Sequence, residues 1–146
     1  MNKNIESFIR CRRIAAVGAS TNPRKFGHRA FVELVARGYE MIPVHPSAAE
    51  IAGIPCSENL RMIHNGVDGV LIMVPPEKAL GVLRDAAAAG MKNVWLQQGT
   101  ESAEVLALAG ELGLNIVARK CILMYAPPVA GFHRFHRIVT GLVGRL

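Results

Sequence analysis

The densest run of groups able to hold a ligand is Gly18-Ala19-Ser20-Thr21-Asn22-Pro23-Arg24-Lys25-Phe26-Gly27, directly after the apolar run Ile14-Ala15-Ala16-Val17. Small residues let a backbone approach a ligand closely. Their N–H groups, together with the N-terminus of a following helix, form a concave anion site. Arg24 and Lys25 add full positive charges beside it, and the chemistry this spacing suits is phosphate recognition. The nicotinamide fingerprint requires G-x-G-x-x-G and an acid closing the second strand to grip a ribose hydroxyl. Here only Gly18 and the distant Gly27 are present, and the second apolar run closes in Val44-His45-Pro46. NAD is therefore disfavoured, and the absence of GxxxxGK[ST] excludes a P-loop nucleotide hydrolase. NADP stays open, because Arg24 or Lys25 can take its additional phosphate.

Charge is segregated along the chain. Residues 1–29 hold seven Lys/Arg and one acid, residues 30–111 five and ten, and residues 112–146 five and none. The basic ends suit an anionic partner. With two Tyr, one Trp, five Phe and no Lys/Arg-rich block, a small phosphate-bearing ligand explains the pattern more economically than nucleic acid.

Other candidate groups carry less. Cys121 follows Arg119 and Lys120, whose charges can favour a thiolate; packing as a small apolar residue is the alternative. His133 and His136 are three apart, but zinc needs three or four ligands and nothing in the spacing supplies the others, so no metal is expected. Three widely spaced cysteines without a CxxC fit a reducing compartment. With no secretory segment at the polar N-terminus and no apolar run of membrane length, a cytoplasmic protein without membrane contact is expected.

Positioning these groups requires a scaffold, and hydrophobic patterning specifies one. Apolar runs at 13–17, 41–44, 68–74, 93–96 and 114–118 read as five strands. Helix-length segments lie between them at 27–38, at 76–89 and at about 102–112, with a shorter helix from about Glu58 and a leading one over 2–11. Strands apolar throughout are buried on both faces, and crossovers of helix length make them parallel. The expected fold is α/β: one Rossmann-like, doubly wound parallel sheet of about five strands with helices on both faces, over 1–146 as a single domain. Phe132, Phe135, Ile138, Val139, Leu142, Val143 and Leu146 add an amphipathic C-terminal helix, suited to packing on the domain or on a second subunit. In such sheets ligands sit at the carboxyl ends of the strands, so the residues following each strand are the informative ones.

Those residues carry a resemblance. VGAS at Val17–Ser20, NPRKFG at Asn22–Gly27, PVHP at Pro43–Pro46, VPPE at Val74–Glu77, WLQQG at Trp95–Gly99 and the late Arg119-Lys120-Cys121 occur in one order. Together they resemble the small stand-alone CoA-binding proteins, similar to the N-terminal CoA-binding domain of the succinyl-CoA synthetase α subunit and of NDP-forming acyl-CoA synthetases. The resemblance covers roughly residues 10–125 and extends to a subgroup's tail at 124–137. It implies that Gly18, Ala19, Ser20 and Thr21 meet the CoA phosphates with Lys25 as counter-charge. It further implies that His45 and Pro46 border the nucleotide, that Val74 and Pro75 form an apolar wall, and that Gln97, Gln98 and Gly99 lie further along the edge. The family often has Asn where this chain has His45, and Lys where it has Ser47. A phosphate contact is thus either missing or supplied by Arg24 or Arg29. Cys121 would lie within reach of the CoA thiol for a mixed disulfide, if it is not simply packed.

The function this implies is binding of coenzyme A or an acyl-CoA as a non-catalytic module. Two alternatives remain: a CoA-handling subunit of an acyl-CoA synthetase-like enzyme with a partner chain, and a binder of another nucleotide such as NADP. No Ser-His-Asp or paired-carboxylate arrangement is legible that would make the chain an enzyme on its own.

Overall fold

The computed structural model describes residues 2–129; the expected C-terminal helix, with His133 and His136, lies outside them. Four helices, α1 (Lys3–Ile9), α2 (Phe26–Ala36), α3 (Pro76–Ala88) and α4 (Ala103–Glu111), surround the strands. The strands are β1 (Arg13–Val17), β2 (Glu40–Val44), β3 (Glu50–Ile51), β4 (Ile54–Pro55), β5 (Gly69–Ile72), β6 (Asn93–Gln97) and β7 (Asn115–Lys120). Five of them form one parallel sheet in the order β2-β1-β5-β6-β7, with β3 and β4 as a separate antiparallel pair. The expected doubly wound α/β sheet is present.

The order explains how both faces are covered. From β1 the chain steps outward to β2, then returns to β5 and proceeds in the opposite direction through β6 to β7. Right-handed crossovers therefore put α2 on one face and α3 and α4 on the other. Alternate strand residues divide accordingly. Ile14, Ala16, Leu71, Trp95 and Val117 pack with Phe31 and Leu34 of α2. Ala15, Val17, Val70, Ile72, Val94 and Leu96 pack with Ala79 and Leu83 of α3 and Val105 of α4. No crossover helix covers β6 and β7 on the α2 face, and α1 does so instead. Phe8 meets the fully buried Trp95 edge-on at 5.4 Å between ring centroids. It also lies so close to β5 that a Cβ on Gly69 would stand 2.8 Å from its ring.

One local expectation is corrected. The helix from about Glu58 is only a 3₁₀ turn, Leu60–Met62, because Asn65 and Gly66 follow at φ +65° and +64° and force the chain round. β3 and β4 form a hairpin whose two-residue turn, Ala52-Gly53, has φ of 52° and 80°, the positive values that matching strand twist demands.

The amino ends of the strands are tied structurally. Asp68 Oδ2 accepts from the backbone N–H groups of Arg12 and Arg13, each at 3.0 Å. Those bonds, Arg13's first, hold its carboxyl below the ordinary value. A lowered carboxylate pKa contributes stability at and above the ordinary carboxylate range and loses it as the pH falls through the folded value. Asp68→Asn should therefore be less stable than the parent at pH ~7 and lose less stability on acidification to pH ~3, as followed by denaturant midpoints across pH.

Cys11, buried beneath α1, is pushed up to about 11, chiefly by burial and then by the nearby Asp68 charge. It stays a thiol at neutral pH, so iodoacetamide should alkylate Cys11 last of the three cysteines, as read by peptide mass spectrometry.

Candidate functional site

At the opposite edge the reversal between β1 and β5 opens a crevice where the loops after the strands diverge. The groove has a volume of about 930 Å³. The loop after β1 forms its centre. Gly18 has φ +103°, and a Cβ there would stand 2.8 Å from the Met73 carbonyl carbon and oxygen. Gly27, in the first turn of α2, lies against the Gly18 carbonyl so closely that a Cβ would collide with its oxygen. Two glycines nine residues apart thus press the start of α2 onto the end of β1.

The intervening loop is braced from within. Asn22 N–H donates to Ser20 Oγ at 3.0 Å, and Arg24 N–H donates to Asn22 Oδ1 at 3.0 Å. His28 Nδ1 lies 2.8 Å from the Ser20 carbonyl oxygen; since a carbonyl only accepts, that nitrogen carries the proton. Ser20 Oγ accepts within the loop and keeps its own hydrogen to donate.

The N-terminus of α2 is open. Its N-cap is Lys25, which makes no side-chain cap, and its first turn holds no acid. By contrast Asn2 caps α1 and Ser102 caps α4 with side-chain bonds. The first N–H groups of a helix have no partner within it; at α2 the residues that carry them, Phe26 and Gly27, line the groove together with Gly18–Ser20 and Lys25. Such an arrangement suits an anion, with dipole and charge acting in the same direction.

On the β2 side His45 Nδ1 accepts from the N–H groups of Ser47 at 3.1 Å and Ala48 at 2.9 Å. The proton therefore sits on Nε2, leaving a donor on the other side of the ring. On the β5 side Met73, Val74 and Pro75 give an apolar wall. Thr100, buried after β6, donates to the Val74 carbonyl at 2.9 Å and fixes the β5 and β6 loops to each other.

Of the residues singled out in the sequence, Gly18, Ala19, Ser20, Lys25, His45, Pro46, Val74, Pro75, Gln97, Gln98 and Gly99 come together around this groove. Gln97 does so with its side chain engaged, Oε1 accepting from Ile122 N–H at 3.0 Å. Thr21, Arg24 and Cys121 are not among the lining. Thr21 and Arg24 are exposed on the loop's outer part. Cys121 follows β7, at the sheet edge, where the chain turns into a 3₁₀ turn at Ile122–Met124. That turn packs onto the α1–α2 face. Groove residues without a signal in the sequence are Asn59, Lys78, Val82 and Asp85. Lys78, in the first turn of α3, lines the groove where neither Arg24 nor Arg29 does. Asp85 is paired with Arg61 at 3.2 Å across α3 and the 3₁₀ turn.

A family model described as CoA binding domain matches residues 12–127 of this chain. The chain belongs to that CoA-binding family. The uncharacterized protein YneT of Bacillus subtilis is 30% identical over 117 residues, covering 80% of this chain and 87% of YneT. The α subunit of the ADP-forming acetate–CoA ligase II of Pyrococcus furiosus is 26% identical over 129 residues, 81% of this chain and 28% of the subunit. The chain thus spans little more than a quarter of that enzyme subunit. Among solved structures, a conserved hypothetical protein of Pyrococcus furiosus superposes with a TM-score of 0.75 at 37% identity. That match covers 77% of this chain and 97% of the other. The CoA-binding family to which the chain belongs is therefore related to subunits of acyl-CoA synthetases. Among the described residues no helix is long and apolar enough to cross a membrane.

Proposed function

We propose that this chain binds coenzyme A or an acyl-CoA in the groove between β1 and β5 and acts as a binding module without acyl-transfer chemistry of its own. The observation that carries the reading is the open, lysine-flanked N-terminus of α2, pressed by Gly27 onto the Gly18 turn. A diphosphate there receives the loop N–H groups, the Ser20 hydroxyl, the helix dipole and the Lys25 ammonium. His45 Nε2–H and Lys78 flank that position and suit the remaining ribose phosphate. The pantetheine arm, long and mildly polar, matches the Met73–Pro75 wall toward β6. The groups gathered here bind and orient. Of the carboxylates in the lining, Asp85 is already committed to Arg61.

Calorimetric titration tests this directly. CoA should bind with micromolar or tighter affinity, and dephospho-CoA more weakly because the ribose phosphate meets a cation. No heat and no thermal shift at excess CoA would remove the proposal. A tight NADP titration without CoA binding would put the other nucleotide in its place.

A further inference from the structure

At the β2 end of the groove one shielded polar atom has no partner. Asn59 lines the groove beside Glu58 and Leu60, and its backbone is held firmly. Its carbonyl accepts from Ser57 Oγ at 2.9 Å and from Met62 N–H at 3.3 Å. Its side chain, although at the N-cap of the Leu60–Met62 turn, caps nothing. Among the described residues Asn59 Oδ1 is out of contact with solvent and accepts no hydrogen bond. A shielded acceptor without a donor costs free energy, and a ligand donor entering the groove removes that cost.

The surroundings indicate which donor. Val44, Leu60 and Val82 line the same groove as Asn59 and give it apolar surface suited to a flat ring. The groove's other end is different: Gln97 Oε1 is already occupied by Ile122 N–H, and Gln98 and Gly99 are exposed. With a diphosphate held in the middle, at α2, the two halves of CoA must run to opposite ends. We infer that Asn59 reads the adenine base, Oδ1 accepting from the 6-amino group while Nδ2 donates to the neighbouring ring nitrogen. A primary amide and an adenine edge each present one donor beside one acceptor, so the pair is complementary. The inference rests on the CoA reading above and adds base specificity to it.

Adenosine 3′,5′-bisphosphate and its counterpart lacking only the 6-amino group are the probes, titrated beside CoA. The parent chain should prefer the amino form by about tenfold, because deleting the donor leaves Oδ1 unpaired again. Asn59→Ala should bind both equally, and Asn59→Asp, which keeps an acceptor, should retain part of the preference. Asn59→Ala should melt no lower than the parent, since the side chain makes no bond within the described chain and its truncation removes an unpaired acceptor. A parent that does not distinguish the two probes overturns the inference, as does an Asn59→Ala variant that still prefers the amino form. If neither CoA nor the bisphosphate binds the parent, the CoA reading itself fails, an outcome separate from lost discrimination with binding intact.

Discussion

Gly27→Ala is expected to destabilise the chain by about 3 kcal/mol and to abolish CoA binding with it. The new methyl group would collide with the Gly18 carbonyl oxygen, a backbone atom that cannot swing aside as a side-chain tip can. Relief requires α2 to withdraw from β1, which drags Phe31 and Leu34 out of a core where both are fully buried. It also moves the helix N-terminus away from Gly18–Ser20. The same substitution at Gly81 should have the opposite sign. Gly81 lies within α3 with no atom within 4 Å of a Cβ added there. Alanine should therefore add about 0.5–1 kcal/mol by reducing the freedom of the unfolded chain. Urea midpoints of the two variants, with a CoA titration of each, check both signs. A Gly27→Ala protein as stable as Gly81→Ala would mean that the close approach of α2 to β1 is not needed.

Lys25→Glu should weaken CoA on the order of 10- to 100-fold while the melting temperature stays near that of the parent. The substitution removes a charge-assisted hydrogen bond and sets a carboxylate beside the phosphates. It does not harm the helix, because an acid at the start of α2 is favourable to the dipole and Lys25 makes no capping bond to lose. Arg24→Glu is the informative comparison. It makes the same change of charge one residue earlier, at an exposed position outside the groove lining. At about 0.15 M salt, where exposed charges are screened beyond roughly 8 Å, Arg24→Glu should change affinity little. Equal losses for the two variants would assign the effect to the general field of the basic N-terminal region and take Lys25 off the phosphates.

Much of the scaffold was legible because burial on both faces leaves a mark that local sequence can carry. Val70-Leu71-Ile72 and Val94-Trp95-Leu96 are apolar without alternation, and strands of that kind belong inside a parallel sheet with helices on each side. The small residues after β1 likewise pointed to an anion before any geometry, since only small side chains let backbone N–H groups meet a phosphate. The CoA-binding family was legible too, through motifs that follow the strands in a fixed order.

What the amino-acid sequence determined by itself, then, was which five segments make the parallel sheet and which loops follow them at its carboxyl edge. The tertiary structure alone decided how those loops face one another. Strand order is one such decision: nothing local states that β5, and not β2, continues the sheet on the far side of β1, yet that reversal is what opens the groove. Gly27 is another, because it stands nine positions after Gly18 and the braced Ser20–Arg24 turns bring the two into contact. Lys78 and Asn59 reach the groove from α3 and from the turn before β5, so no spacing within the β1 loop could announce them. Thr21, Arg24 and Cys121 follow strands just as the groove residues do, but local turns direct them elsewhere. Sequence distance fixes backbone periodicity, which repeats every few residues; the direction of a side chain at a loop depends on turns and packing contributed by residues far away in the chain.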